Sequence, residues 1–185
     1  MNETLKAIME RNSCRDFTGE KPSDEQIKTI VEAALAAPSA MNRMPWHVVF
    51  INDKAIVDEL DAEGMGILEA TGDDALKARM RDRGGRLFYN APCIAVILQD
   101  GSKWGALDSG IMCQNITLAA QSLGLSSCIV GMAGIPLNGP KAAEYRERFK
   151  FPEGYEFIVG VLFGAANTGK APHELNMAKV TNIGG

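Results

Sequence analysis

Two histidines and four cysteines make up the chain's whole stock of imidazole and thiolate metal ligands, in 185 residues. His47 and His173 stand in no ligand spacing with Cys14, Cys93, Cys113 or Cys128, and no Cys-x-x-Cys pair occurs, so no metal centre is expected. A Gly-x-Ser-x-Gly elbow, a P-loop and a Gly-x-Gly-x-x-Gly turn after a strand are all missing, which removes the usual evidence for acyl transfer, phosphoryl transfer and Rossmann-type cofactor binding. No apolar run approaches the ~18 residues needed to cross a bilayer. The opening MNETLKAIMERNSCRDF is amphipathic and carries acids, so it reads as neither a secretory signal nor a transit peptide. An excess of positive charge is lacking too: the net charge is -4, which gives no electrostatic footprint for nucleic acid. The scattered cysteines read as reduced thiols, and a cytoplasmic location is the expectation. An enzyme without these devices would draw its reactive centre from a bound cofactor.

What is present reads as one globular domain over residues 1–185, with 46% hydrophobic and 23% charged residues and no repeat or linker. The spacing of Leu5, Ile8 and Met9 predicts a helix over 3–11, and residues 12–18 break that period. Ser23 opens a second helix, with Gln26 completing a capping box and Ile27, Ile30, Val31, Ala34 and Leu35 as its stripe. Ala37-Pro38 stops it. Buried strands are expected at 46–51, 93–98, 127–130 and 156–163. The stretch 53–86 reads as helical, with turns at Gly64, Gly66 and Gly84-Gly85. A helix over 106–123 is uncharged after Asp108 and ends on a left-handed Gly124; so apolar a helix should be hidden all round, in the core or at a subunit interface. A further helix is expected over 141–149. Strands alternating with helices give an α+β chain with a sheet covered on both faces, and the polar tail after Gly164 needs something to pack on.

Two segments could carry chemistry. In Arg11-Asn12-Ser13-Cys14-Arg15 the helical period has failed, and on an extended backbone Arg11, Ser13 and Arg15 share one side. Guanidinium forks and a hydroxyl suit phosphate oxygens, although a solvated helix end carries the same residues. In Pro38-Ser39-Ala40-Met41-Asn42 small and short polar residues would let a flat ring approach the main chain, but Ser, Asn and Pro also make an ordinary helix-to-strand loop.

Together the segments say more. R-x-S-x-R, a capped helix ending A-A-x-A-A-P-S-A-x-N, and P-W leading into a hydrophobic strand resemble the opening of the nitroreductase family. Residues 115–125 (NITLAAQSLGL) look like that family's central helix. SSCIVG at 126–131 is similar to its next strand and turn, and VLFG at 161–164 to the strand before the tail. The likeness covers residues 5 to 180, and it rests on order and spacing more than on any one piece.

The resemblance implies an α+β nitroreductase-like fold with a central mixed sheet, forming a homodimer with FMN at the subunit interface. Carried over by position, Arg11, Asn12 and Ser13 would hold the phosphate and ribityl end, and Arg15 would stabilise the negative charge that reduction puts near flavin N1. Pro38, Ser39, Ala40, Met41 and Asn42 would come from the partner subunit. Cys128, Ile129, Val130 and Gly131 would line the other ring face, with Cys128 a packed residue rather than a nucleophile. Lys170 and His173, ahead of Lys179, are the candidates for the family's late basic residue at the phosphate. Arg83 and Arg86 read as a solvated helix face that could also help neutralise the flavin. No side chain need act as catalytic acid or base; flavin N5 would be the reactive centre, receiving hydride from NADH or NADPH and passing it by a ping-pong cycle to a nitroaromatic, quinone or enone. Met44 and Gly131 depart from the family's frequent Gln and occasional Glu, which lowers polarity near the ring. The rival readings are a dehalogenase or ene-reductase relative on the same scaffold, a flavin-binding sensor or storage protein, and a purely architectural likeness.

Overall fold

The computed structural model describes residues 1–71 and 74–184. Its strands are β1 (Trp46–Ile51), β2 (Cys93–Gln99), β3 (Ser126–Val130) and β4 (Glu156–Gly164), in one sheet of order β1-β2-β4-β3. The helices are α1 (Glu3–Glu10), α2 (Asp24–Leu35), α3 (Lys54–Thr71), α4 (Asp74–Asp82), α5 (Gly105–Ser122), α6 (Gly134–Leu137) and α7 (Ala142–Arg148). All three ladders are antiparallel. The expected mixed sheet needs correcting to that extent, and the reason is topological. β2 and β3, joined by the crossover helix α5, do run parallel, but β4 slots between them and pairs antiparallel with each. Among the described residues the parallel pairing that remains is the isolated bridge Ser13↔Ser127.

Helices cover both faces. Ile94, Val96, Leu98 and Leu162 meet Val57, Leu60, Leu68 and Tyr145 on one side; Ala95, Ile97, Val161 and Phe163 meet Ile27, Ile30, Met112 and Ile116 on the other. Residues 93–98 are buried throughout because both faces are covered, which is why the strand reads as an unbroken apolar run. The Ser23–Gln26 capping box is formed in both directions, and Gly124 takes φ 74 at the end of α5.

Three expectations fail. Gly64 and Gly66 make no turn; α3 runs through both. A Cβ on Gly64 would lie 2.5 Å from Leu87 Cδ1 and 3.1 Å from Pro136 Cδ, so this glycine marks a close approach between packed elements rather than a break. The stripe of α1 is not buried: Leu5, Ile8 and Met9 are exposed, and Ala7 is its buried contact. Nor is α5 hidden all round, since Leu107 is 60% exposed and Gly110 and Gln114 face outward. The tail has little beneath it: residues 167–184 are all exposed. Among the described residues no helix is long and apolar enough to cross a membrane.

Candidate functional site

The chain leaves α1 at Arg11, whose ψ of 130° is extended while its N–H still donates to the Ala7 carbonyl. From there it crosses the end of the sheet. Cys14 N–H donates to Ser127 C=O at 2.9 Å, Phe17 N–H to Tyr89 C=O at 3.1 Å, and Thr18 N–H to Ala165 C=O at 2.9 Å. Cys14 and Phe17 point into the core, so Arg15 is thrown outward and Arg11 and Ser13 are half-buried. Among the described residues neither Arg11 nor Arg15 has an ion-pair partner. Two arginines left open in an acidic chain are a standing site for an anion.

Cys128 on β3 lies beside this strip. Burial pushes its thiol upward, while Arg15, the Ser13 hydroxyl and Arg11 pull it back. The thiol is 2% exposed, a packed side chain as expected. Val130 is also buried, and the two back the strand from within. Ile129, 43% exposed, and Gly131, with open space where a Cβ would be, form its accessible surface.

Two clefts flank the strip. One, of about 570 Å³, brings Arg15 together with Arg83, Arg86 and Tyr89, and with the carboxylates of Asp16 and Asp82. Arg83 and Arg86 are exposed, as a solvated face would be, yet they share one concavity with Arg15, which spacing in sequence could not show. The wall is anchored from behind. Arg86 donates to Asp58 at 3.2 Å and to the Asn90 side chain at 3.1 Å, and Asn90 in turn donates to Phe17 C=O at 3.0 Å. Tyr89 and Asn90 are both left-handed, at φ 54 and 64. The preceding Phe88 N–H donates to Asp61 at 2.8 Å. Asp61 is buried, and desolvation raises its carboxyl, the Phe88 N–H pulling the other way. Asp16 is held in turn by the Asn167 amide at 2.8 Å.

The second cleft, of about 500 Å³, runs along Asn12, Ser126, Gly124, Lys170 and Glu10. Asn12 donates its amide to the Lys170 carbonyl at 2.9 Å, tying the tail to the strip. His173 and Lys179 lie on the exposed tail, outside this lining.

Pro38, Ser39, Ala40, Met41 and Asn42 are elsewhere. They lead into Trp46, at the outer edge of the sheet and at the opposite end from Ser127. The offset is roughly 20 Å along the strands and about 14 Å across them. The loop is rigidly built: Asp108, 2% exposed at the head of α5, accepts from Ala40 N–H at 3.2 and 3.3 Å, and Ser39 Oγ accepts from Met44 N–H at 2.9 Å. Met41, Asn42 and Met44 are all left-handed, a concentration of strain in non-glycine residues typical of functional loops. Sequence reasoning overlooked Asp108, Asp61 and Asn167 as supports; Asp108 carried a signal, being the last charge before an uncharged helix.

A sheet of this order, sandwiched between helices and edged by a strip of open arginines, defines a class of cofactor-binding α+β proteins. The comparisons place the chain within it. Residues 8–165 match the model of the nitroreductase family, and the chain belongs to that family. A nitroreductase from Desulfitobacterium hafniense, solved with bound FMN, is 46% identical and superposes with a TM-score of 0.94 over 100% of both chains. An NADPH-flavin oxidoreductase of Vibrio harveyi is 30% identical over 166 residues, 89% of this chain and 66% of that one. An FMN reductase [NAD(P)H] of Bacillus subtilis is 28% identical over 136 residues, 71% of this chain and 55% of that one. The chain thus spans less than two thirds of the length of these two relatives.

Proposed function

We propose that this chain binds FMN and acts as an NAD(P)H-dependent oxidoreductase on small electron-poor acceptors, nitroaromatics and quinones among them, as a homodimer in the cytoplasm. The observation that carries the reading is the strip Arg11–Ser13–Arg15: two cations without partners and a hydroxyl, on a fixed backbone between two clefts. The donor set suits FMN. A dianionic phosphate matches Arg11, the Asn12–Lys170 groove and its neighbour His173, and Ser13 is placed for the ribityl chain. Arg15, backed by Arg83 and Arg86, suits the pyrimidine end, where reduction concentrates negative charge. Ile129 and Gly131 offer a ring face, with Cys128 and Val130 packed behind them.

Bound FMN would supply the two-electron centre that the side chains lack. The protein's part is to hold the cofactor, keep a fixed cation beside its pyrimidine edge and leave the opposite face open for donor and acceptor in turn. Pro38, Ser39, Ala40, Met41 and Asn42 are too far from the strip of their own chain to complete the groove, so a second copy is the natural source. The exposed side chains Leu5, Ile8, Met9 and Leu107, with Leu175 and Met177 on the tail, give such a copy an apolar surface to cover. Four buried free thiols suit a reducing compartment.

Anaerobic addition of NADPH or NADH to the yellow protein should bleach the flavin band, and a quinone should restore it. A yellow protein that neither nucleotide bleaches would leave a flavin carrier and refute the oxidoreductase.

A further inference from the structure

Beside the strained loop lies a small enclosed niche that the flavin reading does not use. It measures about 210 Å³ and is lined by Ala40, Met41, Arg43, Lys103 and Trp104 above the Asp108 anchor. Its size decides what it can hold: a dry apolar cavity of ~150 Å³ takes up benzene, so this one accommodates a single substituted ring and not a whole dinucleotide. Its walls suit an aromatic guest. Trp104 is 46% exposed and Met41 80% exposed, large apolar groups that a folded chain covers when it can. The Met41 thioether and the indole both favour contact with a ring.

The rim is cationic. Lys103 Nζ sits 5.0 Å from the Trp104 ring centroid, and among the described residues neither Lys103 nor Arg43 forms an ion pair. The carboxylate in reach of Arg43 is Asp100, already held by Ser102. The floor is fixed rather than adaptable, because Asp108 and Ser39 pin the backbone on both sides of Met41.

We infer that this niche is a binding subsite for a planar aromatic ring carrying an anionic group, with Trp104 and Met41 taking the ring and Lys103 and Arg43 the charge. The inference rests on the oxidoreductase reading for its role, since the same loop is the one proposed to meet a flavin. Such a ring could belong to an aromatic acceptor or to the adenosine phosphate end of the hydride donor, and the two sources are separable.

The test is a fluorescence titration of the purified protein, in which Trp104 is the accessible indole and Trp46 is buried. The probes are 4-nitrobenzoate, nitrobenzene and adenosine 2′,5′-bisphosphate. Saturable quenching by 4-nitrobenzoate, stronger than by nitrobenzene, assigns the niche to the acceptor; quenching by the bisphosphate assigns it to the donor. For the effective probe, Trp104→Ala should weaken binding about tenfold, as loss of an aromatic contact does. Lys103→Gln, at an exposed position that leaves folding untouched, should weaken it about threefold, and only for the anionic probe. Trp104→Phe should keep the affinity while losing the signal, read by displacement or by the KM of the matching half-reaction. A yellow, bleachable protein whose indole fluorescence responds to none of the probes overturns the niche alone. A colourless protein that still binds 4-nitrobenzoate at Trp104 overturns the flavin reading and leaves the niche standing.

Discussion

Two glycines in α3, two residues apart, should respond to the same substitution with opposite signs. Replacing a helical glycine by alanine removes backbone freedom from the unfolded chain and gains ~1 kcal/mol where nothing obstructs the new methyl. Gly66 is such a place: a Cβ there meets nothing within 4 Å. Gly66→Ala should therefore raise the melting temperature by roughly 2–4 °C for a chain of this size. At Gly64 the same methyl would lie 2.5 Å from Leu87 Cδ1 and 3.1 Å from Pro136 Cδ. An ordinary carbon contact is about 3.5–4.0 Å, so Leu87, fully buried, must move by about an ångström, and the proline ring cannot swing aside. Overpacking of that kind costs ~1–3 kcal/mol, which outweighs the helical gain and leaves a net loss of ~1 kcal/mol. Gly64→Ala should melt roughly 2–4 °C below the wild type. Thermal melts and urea midpoints at one protein concentration, with m values compared, read both variants on the same footing. If Gly64→Ala stabilised the protein as much as Gly66→Ala, the packing of α3 against Leu87 and Pro136 described here would be wrong.

Other consequences are as direct. Burial pushes the Cys113 thiol to about 12 and Cys93 to about 11, against 9.0 when free. The folded state then holds these protons more tightly, so their contribution is intact below pH 9 and is lost as pH rises toward those values. The stability cost of Cys113→Ala, from urea midpoints, should accordingly shrink between pH 9 and 11; a constant or growing cost would contradict this. Asp61→Ala strips the acceptor from Phe88 N–H in the core and should cost about 2–3 kcal/mol in urea unfolding. It should also speed amide exchange at Phe88 and its left-handed neighbours, whereas unchanged exchange would remove Asp61 as the anchor of that wall. Native Cys128 should resist a thiol reagent at pH 8 until denaturant is added, being buried and raised by desolvation; rapid labelling would show an open β3.

Much of this architecture was legible in the chain because local rules and packing agree along it. WHVVFI and CIAVIL announce covered strands, Ser23 and Gln26 a helix start, and Gly124 its end. Where the reading failed, a distant contact decides the outcome. Gly64 looked like a turn because its partners, Leu87 and Pro136, are remote in sequence. The stripe of α1 looked like core because periodicity reports an apolar face and not what covers it. Arg83 and Arg86 looked like a solvated surface because only the fold brings the loop before β2 against Arg15. The halves of the candidate site were visible as motifs, but their placement at opposite corners of the sheet follows from β4 slotting between β2 and β3. No local pattern encodes that insertion.

The central claim is that open cations near the N-terminus retain a phosphorylated flavin. Flavin content per chain, read from the absorbance of purified wild type and of the Arg11→Ala/Arg15→Ala double variant after incubation with FMN, tests it most directly. Losing two charge-assisted contacts of ~1.5–3 kcal/mol each should weaken retention by a hundredfold or more, leaving a folded but colourless protein. A double variant that kept its pigment at full occupancy would contradict the account.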